Sequence, residues 1–385
     1  MRHISEYRNP ELAHGLARAI AAAVQPGRRY RLMEFCGGHT HAIARHGLVA
    51  LLPKEIQLIH GPGCPVCVLP VGRLDQAIAL AADERITLCT YADLLRVPAS
   101  SGTTLLNARA SGADVHVVYS TDDVLRIAQN EPQREVVFFA IGFETTTPPT
   151  AVLVRQAQEQ GLTNLSVFCN HVLTPAAMRQ LLAPPAGGTV APLDGIIGPS
   201  HVSTVIGLAP YAFVADEFST PLVVAGFEPL DVLQAVYMLV QQINASKALV
   251  ENQYQRVVKP EGNRKAQALM TSVFSVRDTF AWRGLGEVSH SALALRAELG
   301  ACDAERRFAM PAVQGKEHKS CECPAILRGE KSPSQCRLFG VACTPERPLG
   351  PCMVSPEGAC AAHWSYGRAQ DTRASKQPHQ QTSLA

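Results

Sequence analysis

Two thiols stand in C-x-x-C spacing within HGPGCPVCVLP (60–70), immediately after Ile56 to Ile59, a run that reads as a buried strand. Where Cys64 opens a helix or tight turn, backbone N–H groups point at its sulfur and stabilise the thiolate, so pairs of this kind fall from ~8.5 to about 3.5–7.5 in pKa. Thiolates also bind iron and zinc. Cys36, likewise just past a strand-like run, can supply a third sulfur. His39 and His41, in CGGHTH (36–41), are candidates to ligate or hydrogen-bond to whatever is held there. Taken alone, the stretch suits a disulfide switch, half of a zinc site or a cradle for another metal. The plain alternative is glycines making tight turns beside surface histidines.

A second group of thiols lies near the end of the chain: Cys321-x-Cys323, then Cys336, Cys343, Cys352 and Cys360, in Gly/Pro-rich sequence of little periodicity. Four thiolates hold a [4Fe–4S] cluster. Zinc sites typically use C-x(2–4)-C knuckles, which this region lacks, so the spacing favours iron–sulfur over zinc. The expectation is a segment ordered by a metal centre rather than by an apolar core. Cys89, Cys169 and Cys302 read as small buried hydrophobes. GFETTT (142–147) offers the Glu144 carboxylate with the Thr145, Thr146 and Thr147 hydroxyls, although a Thr-rich turn is commonly a helix cap. CNHVLTP and GPSHVST add Asn170, His171 and His201. Each reads singly as structural; as a set they are candidates to line a polar cleft. No G-x-x-x-x-G-K-[ST] or G-x-G-x-x-G loop follows a strand, so nucleotide binding has no direct support.

What must position these residues is legible in the intervening pattern. At 385 residues the chain has room for two or three domains, and 46% hydrophobic with 18% charged residues describes an ordinary soluble globular protein. A net charge of +2 provides no footprint for nucleic acid or an anionic membrane. No stretch approaches the ~20 apolar residues of a bilayer span, and the N-terminus has no apolar signal core, so a cytoplasmic location is expected. Structural disulfides rarely persist there, which turns twelve cysteines toward metal or redox chemistry. Short apolar runs at 31–35, 56–60, 86–90, 115–120, 136–141, 165–169, 195–198 and 221–226 alternate with helical patterns such as RLDQAIALAADE. Such runs demand parallel sheet covered on both faces. The motif turns recur loosely, CGGHTH then GPGC, GFETTT then GPSH. This suggests two similar parallel-sheet α/β domains, 1–130 and 131–245, followed by a helical, loop-containing, Cys-rich iron–sulfur domain, 246–367, and a disordered tail, 368–385. The motif turns fall beyond the carboxyl ends of strands, where open α/β sheets bind ligands, and are expected to face one another across a cleft.

Together MEFCGGHTHAI, HGPGCPVCVLP, GFETTTP and CECPAILRGEKSPSQCRLFGVACTPERPLGPCMVSPEGAC closely resemble the HypD family of [NiFe]-hydrogenase maturation factors, over about residues 28 to 366. The resemblance implies two α/β domains and a third holding a [4Fe–4S] cluster on Cys321, Cys336, Cys343 and Cys360. It implies that Cys36, Cys64 and Cys67 are the thiols that handle iron. Cys323 and Cys352 would be a second pair lying between cluster and C-x-x-C, as in ferredoxin–thioredoxin reductase. It further implies a redox-active assembly scaffold rather than an enzyme with a defined turnover. With a small HypC-type chaperone, the scaffold carries iron while the Fe(CN)2CO group is built for the hydrogenase large subunit. Cyanide would arrive from HypE, charged in turn by HypF, and electrons from the cluster. His39, Glu144, Thr145 and Thr146 are then expected beside the iron or at a partner's dock. The sequence alone also admits an iron–sulfur thiol–disulfide oxidoreductase, and a zinc-stabilised binding module.

Overall fold

Apolar strands flanked by helices bury both faces only by pairing in parallel, and the computed structural model, which describes residues 5–183, 192–313 and 315–367, shows two such sheets. The strands are β1 (Tyr30–Glu34), β2 (Ile56–His60), β3 (Ile86–Thr90), β4 (Val115–Val117), β5 (Glu135–Gly142), β6 (Leu165–His171), β7 (Gly195–Gly198), β8 (Leu222–Val224) and β9 (Val250–Asn252). One sheet runs β2-β1-β7-β8-β9 and the other β4-β3-β5-β6, with every pairing parallel. Val136 to Ala140 are wholly buried at the centre of the second sheet. Each large apolar side chain so placed contributes ~1.5–3 kcal/mol from leaving water.

Every strand expected from the sequence forms, but the chain distributes them differently from the expected halves. The expected boundary at residue 130 falls inside the second sheet, with β3 and β4 before it and β5 and β6 after. The chain then returns to the first sheet, where β7 pairs along β1 (Leu32↔Gly195, Glu34↔Ile197). Consequently CGGHTH, GPGC and GPSH all belong to the first sheet, and GFETTT alone to the second. Periodicity reports that a strand exists; which edge it joins is settled by pairing far along the chain. The fourth strand is also shorter than 115–120, because Ser120 caps the helix Thr121–Asn130 through a reciprocal bond with Asp123.

Beyond residue 227 the expected helical region divides. The Pro229–Asn244 helix covers the first sheet and packs on the Pro10–Ala23 helix, but β9 follows as an edge strand of that sheet. Two small antiparallel pairs come next: β10 (Phe274–Val276) with β13 (Leu293–Leu295), and the hairpin of β11 (Thr279–Trp282) and β12 (Gly286–Ser289). The Cys-rich segment is not held apart from the apolar core, as expected, but is continuous with it. Ile326, Leu327, Met353 and Ala359 pack in one cluster with Val66, Val68 and Phe143. The tail 368–385 lies outside the described residues. No helix of the described residues is long and apolar enough to cross a membrane.

Candidate functional site

In the first sheet β1 leads outward to β2 and β7 leads the other way to β8, so the strand order reverses between β1 and β7. Open parallel sheets leave a crevice at the carboxyl ends of such a pair. Cys36 sits there as the N-cap of the Gly37–Arg45 helix, 7% exposed. Its sulfur accepts from the N–H groups of Gly38 and of His201, just past β7. Burial pushes the thiol up to about 12, and the carboxylates of Glu357 and Glu34 add to the rise against those two donors. Glu34 is fixed in turn. Its carboxylate accepts from the Cys36 N–H at 3.0 Å and from the Thr40 hydroxyl, and lies 3.0 Å from His60 Nδ1.

The C-x-x-C segment is a single helical turn, Pro65–Val68, with Cys64 as N-cap. Pro65 suits the first helical position because that N–H has no partner to lose. The Cys67 N–H donates to Cys64 Sγ at 3.2 Å, as the spacing predicts, and the two cysteines form a disulfide. Both are buried. This turn meets the Cys36 turn backbone to backbone: the Gly37 N–H donates to the Gly63 carbonyl at 3.1 Å, and a Cβ on Gly63 would stand 2.5 Å from the Cys36 nitrogen. The front three sulfurs therefore come from adjoining turns of one sheet.

Behind the C-x-x-C turn lie the later cysteines. The turn packs against the Cys323–Leu327 helix and the Pro351–Met353 turn, and Cys323 and Cys352 are themselves bonded, with Cα atoms 6.3 Å apart. Those two residues, with Cys321, Cys336, Cys343 and Cys360, line one cavity whose remaining wall includes Ile326, Leu338, Phe339, Gly350 and Met353. A Cβ on Gly350 would stand 2.5 Å from Cys321 Sγ, so the cradle needs glycine there. The wall carries no carboxylate or imidazole, which suits a group bound by thiolates alone. At about 20 Å³ the space is nearly closed by the sulfurs, which must part to admit a cluster. Among the described residues no three His, Cys, Asp or Glu side chains are gathered to hold one metal ion.

The segment after Cys352 ties this cavity to Cys36. The Ser355 hydroxyl donates to Asp93 at 3.1 Å, just beyond β3, where the second sheet reverses its own strand order. Glu357 lies against Gly37, its carboxyl held above the usual range by burial and by the Asp93 and Glu34 charges. The Ala359–Ala362 helix, bearing Cys360, packs on the Cys36 helix, and the Tyr366 hydroxyl meets His41 Nε2 at 3.2 Å.

Other sequence candidates serve as braces. His39 is fully buried; its Nε2 contacts the carbonyls of Ala225 and Gly226 at 3.1 and 3.0 Å, tying the helix to the end of β8. Glu144, 2% exposed, accepts the N–H and hydroxyl of Thr174, both at 2.9 Å, and burial pushes its carboxyl up to about 7. The Thr146 hydroxyl donates to the Ile141 and Phe143 carbonyls, and that of Thr147 to Phe143. Thr145 is half-buried in the same turn. Asn170 and His171 are buried at the end of β6, the edge strand of the second sheet, the latter bonded to Thr150 at 2.8 Å. His201 is exposed, its ring tilted against Phe227 with centroids 4.3 Å apart, and reaches the site only through its backbone N–H. The expected polar cleft of Asn170, His171 and His201 does not form; Glu34 and Glu357 supply the carboxylates around Cys36, with Asp93 acting on Glu357. Glu34 had one available signal, a carboxylate closing an otherwise apolar strand beside a cysteine. Asp93 and Glu357 had none.

Residues 11–367 match the profile of the HypD family, described as "Hydrogenase formation hypA family". The chain is 60% identical over 374 residues to the hydrogenase maturation factor HypD of Rhizobium leguminosarum bv. viciae, covering 96% of this chain and 97% of the relative. It is 61% identical over 370 residues to the hydrogenase expression/formation protein HupD of Azotobacter chroococcum mcd 1, with coverage of 96% and 97%. Against HypD of Escherichia coli K12 the identity is 46% over 379 residues, with coverage of 97% and 100%.

Proposed function

The chain belongs to the HypD family, and from that membership we propose that it is a hydrogenase maturation factor in which Cys36, Cys64 and Cys67 hold ferrous iron as cargo while diatomic ligands are added. Cys321, Cys336, Cys343 and Cys360 would hold a [4Fe–4S] cluster, which when bound supplies electrons one at a time. The observation that carries the reading is the stacking of the C-x-x-C turn on both elements of the Cys323–Cys352 pair, which itself lines the four-thiol cavity.

The chemistry of the protein's own sulfurs follows from that order. Once Cys323–Cys352 is reduced, by two electrons and two protons from an external donor, one of its thiolates attacks a sulfur of Cys64–Cys67 and forms a mixed disulfide. The second thiolate then closes Cys323–Cys352, and the front pair leaves as two thiols. The front pair gains the two electrons that the rear pair loses. Cys36 needs no reduction, but its proton must leave. Burial beside Glu34 and Glu357 keeps the thiol neutral without metal, and a dication supplies the charge that makes its thiolate stable. Cyanide and CO favour low-spin ferrous iron, so a site that receives electrons beside its cargo suits the assembly. A HypC-type chaperone sharing the iron and a HypE-type cyanide donor are the partners this reading requires.

Anaerobic purification with the small chaperone tests it. About five irons per chain, four in the cluster, and infrared bands from bound cyanide and CO are expected. Cys343→Ala should lose the brown absorbance. Cys36→Ala should keep it and abolish hydrogenase maturation. The bonded pairs side by side also favour a second reading, a thiol–disulfide reductase. That reading requires four irons, no infrared bands and a dispensable Cys36. Zinc in place of iron would overturn both.

A further inference from the structure

The tip of the β11–β12 hairpin, Arg283-Gly284-Leu285, is wedged between the exit of the C-x-x-C turn and the segment that begins the rear cysteines. The Arg283 N–H donates to the Val68 carbonyl at 2.8 Å, and its Nε donates to the Leu69 carbonyl at 3.0 Å. On the other side, a Cβ on Gly284 would stand 3.1 Å from Pro324 Cα, and Arg328 donates to the Gly284 carbonyl at 2.7 Å. The Arg283 side chain is 3% exposed, and Nη1 pairs with Glu317 at 3.0 Å. Nη2 is buried with no hydrogen-bond partner, while the Cys321 sulfur lies within electrostatic range of the guanidinium.

A guanidinium keeps its proton even when buried, so this is a permanent cation with both Nη2 donors unspent. A buried donor without an acceptor is costly, and a thiolate sulfur is an acceptor. We infer that Arg283 serves the Cys321 corner of the cluster as hydrogen-bond donor and counter-charge, raising its reduction potential, while its Nε fixes the exit of the C-x-x-C turn. The inference rests on the cluster reading above. Donors and positive charge near cluster sulfurs stabilise the reduced form, which carries one more negative charge. Glu317 opposes the effect by neutralising part of that charge from the half-exposed side.

Redox titration of the anaerobically purified protein, followed by the spin signal of the reduced cluster, tests this with opposed variants. Arg283→Gln should move the midpoint potential downward at unchanged iron content, and Arg283→Lys should move it less. Glu317→Gln should move it upward. Wild-type potentials in Arg283→Gln and Glu317→Gln would overturn the inference. If Arg283→Gln fails to retain iron, Glu317→Gln decides alone: an upward shift supports the assignment and an unchanged potential overturns it. Wild-type protein lacking cluster iron would instead overturn the cluster reading, a separate outcome.

Discussion

Glu144 is a carboxyl group with three neighbouring donors and almost no water. Its folded pKa, about 7, lies above the ordinary 4.5, burial outweighing the Thr174 bonds. The folded state thus binds the proton more tightly than the unfolded one. The associated stability is full below about pH 4.5 and is lost as pH rises through 7, by as much as ~3 kcal/mol. His171 works in the opposite sense. Burial lowers it to about 4, so its contribution is full above pH 6.5 and is lost as pH falls through 4. Glu144→Gln removes the first effect and keeps the second. Its urea midpoint should rise steadily from pH 4 to 7 where the wild type changes little, and parallel curves would refute the assignment. Cys36 allows a second measurement. Glu357→Gln removes the larger of the two carboxylate contributions to the raised thiol, so alkylation of Cys36 in metal-free protein at pH 8 should quicken, by roughly threefold for each pKa unit recovered, the gain in thiolate being partly offset by its lower nucleophilicity. Peptide mass mapping reads the rate.

At the scale of elements, two glycines mark where neighbouring turns come too close for a side chain. Gly63→Ala sets a methyl against the backbone of Phe35 and Cys36, with no flexible group able to yield. Thermal unfolding should show a loss of ~1–3 kcal/mol, as for other overpacked sites, and the C-x-x-C turn should withdraw from Cys36. Gly350→Ala meets a sulfur instead, Cys321 Sγ. It should leave the two sheets intact by circular dichroism while lowering bound iron and brown absorbance. Both cysteine turns were legible beforehand because their spacing, their proline and their place after a strand are local properties. The tasks of His39 and Glu144 were not. Each is set by a carbonyl or hydroxyl that arrives from a distant element, Ala225 and Gly226 for one, Thr174 for the other.

Across the whole molecule, residues 350–367 join what the two sheets hold apart. They carry Cys352 and Cys360, meet Asp93 beyond the second sheet, and place Glu357 and Tyr366 against the Cys36 helix of the first. On the proposed cluster reading, stripping iron with a chelator should therefore raise hydrogen exchange in Gly37–Arg45 as well as in 350–367, and protection of that helix unchanged by iron removal would argue against such coupling. The amino-acid order by itself determined the parallel-sheet class, strands β1 to β8, the two sets of thiols and the family, because hydrophobic period and motif spacing are written in consecutive residues. It did not determine which sheet each strand joins, that Glu34, Asp93, Glu357 and Arg283 surround the sulfurs, or that the Cys-rich segment shares the core of the C-x-x-C turn. Most of those outcomes depend on contacts between residues a hundred or more positions apart, such as β1 with β7, Arg283 with Leu69 and Ser355 with Asp93. Such contacts are chosen by packing and pairing of the folded chain, on which local sequence has no purchase.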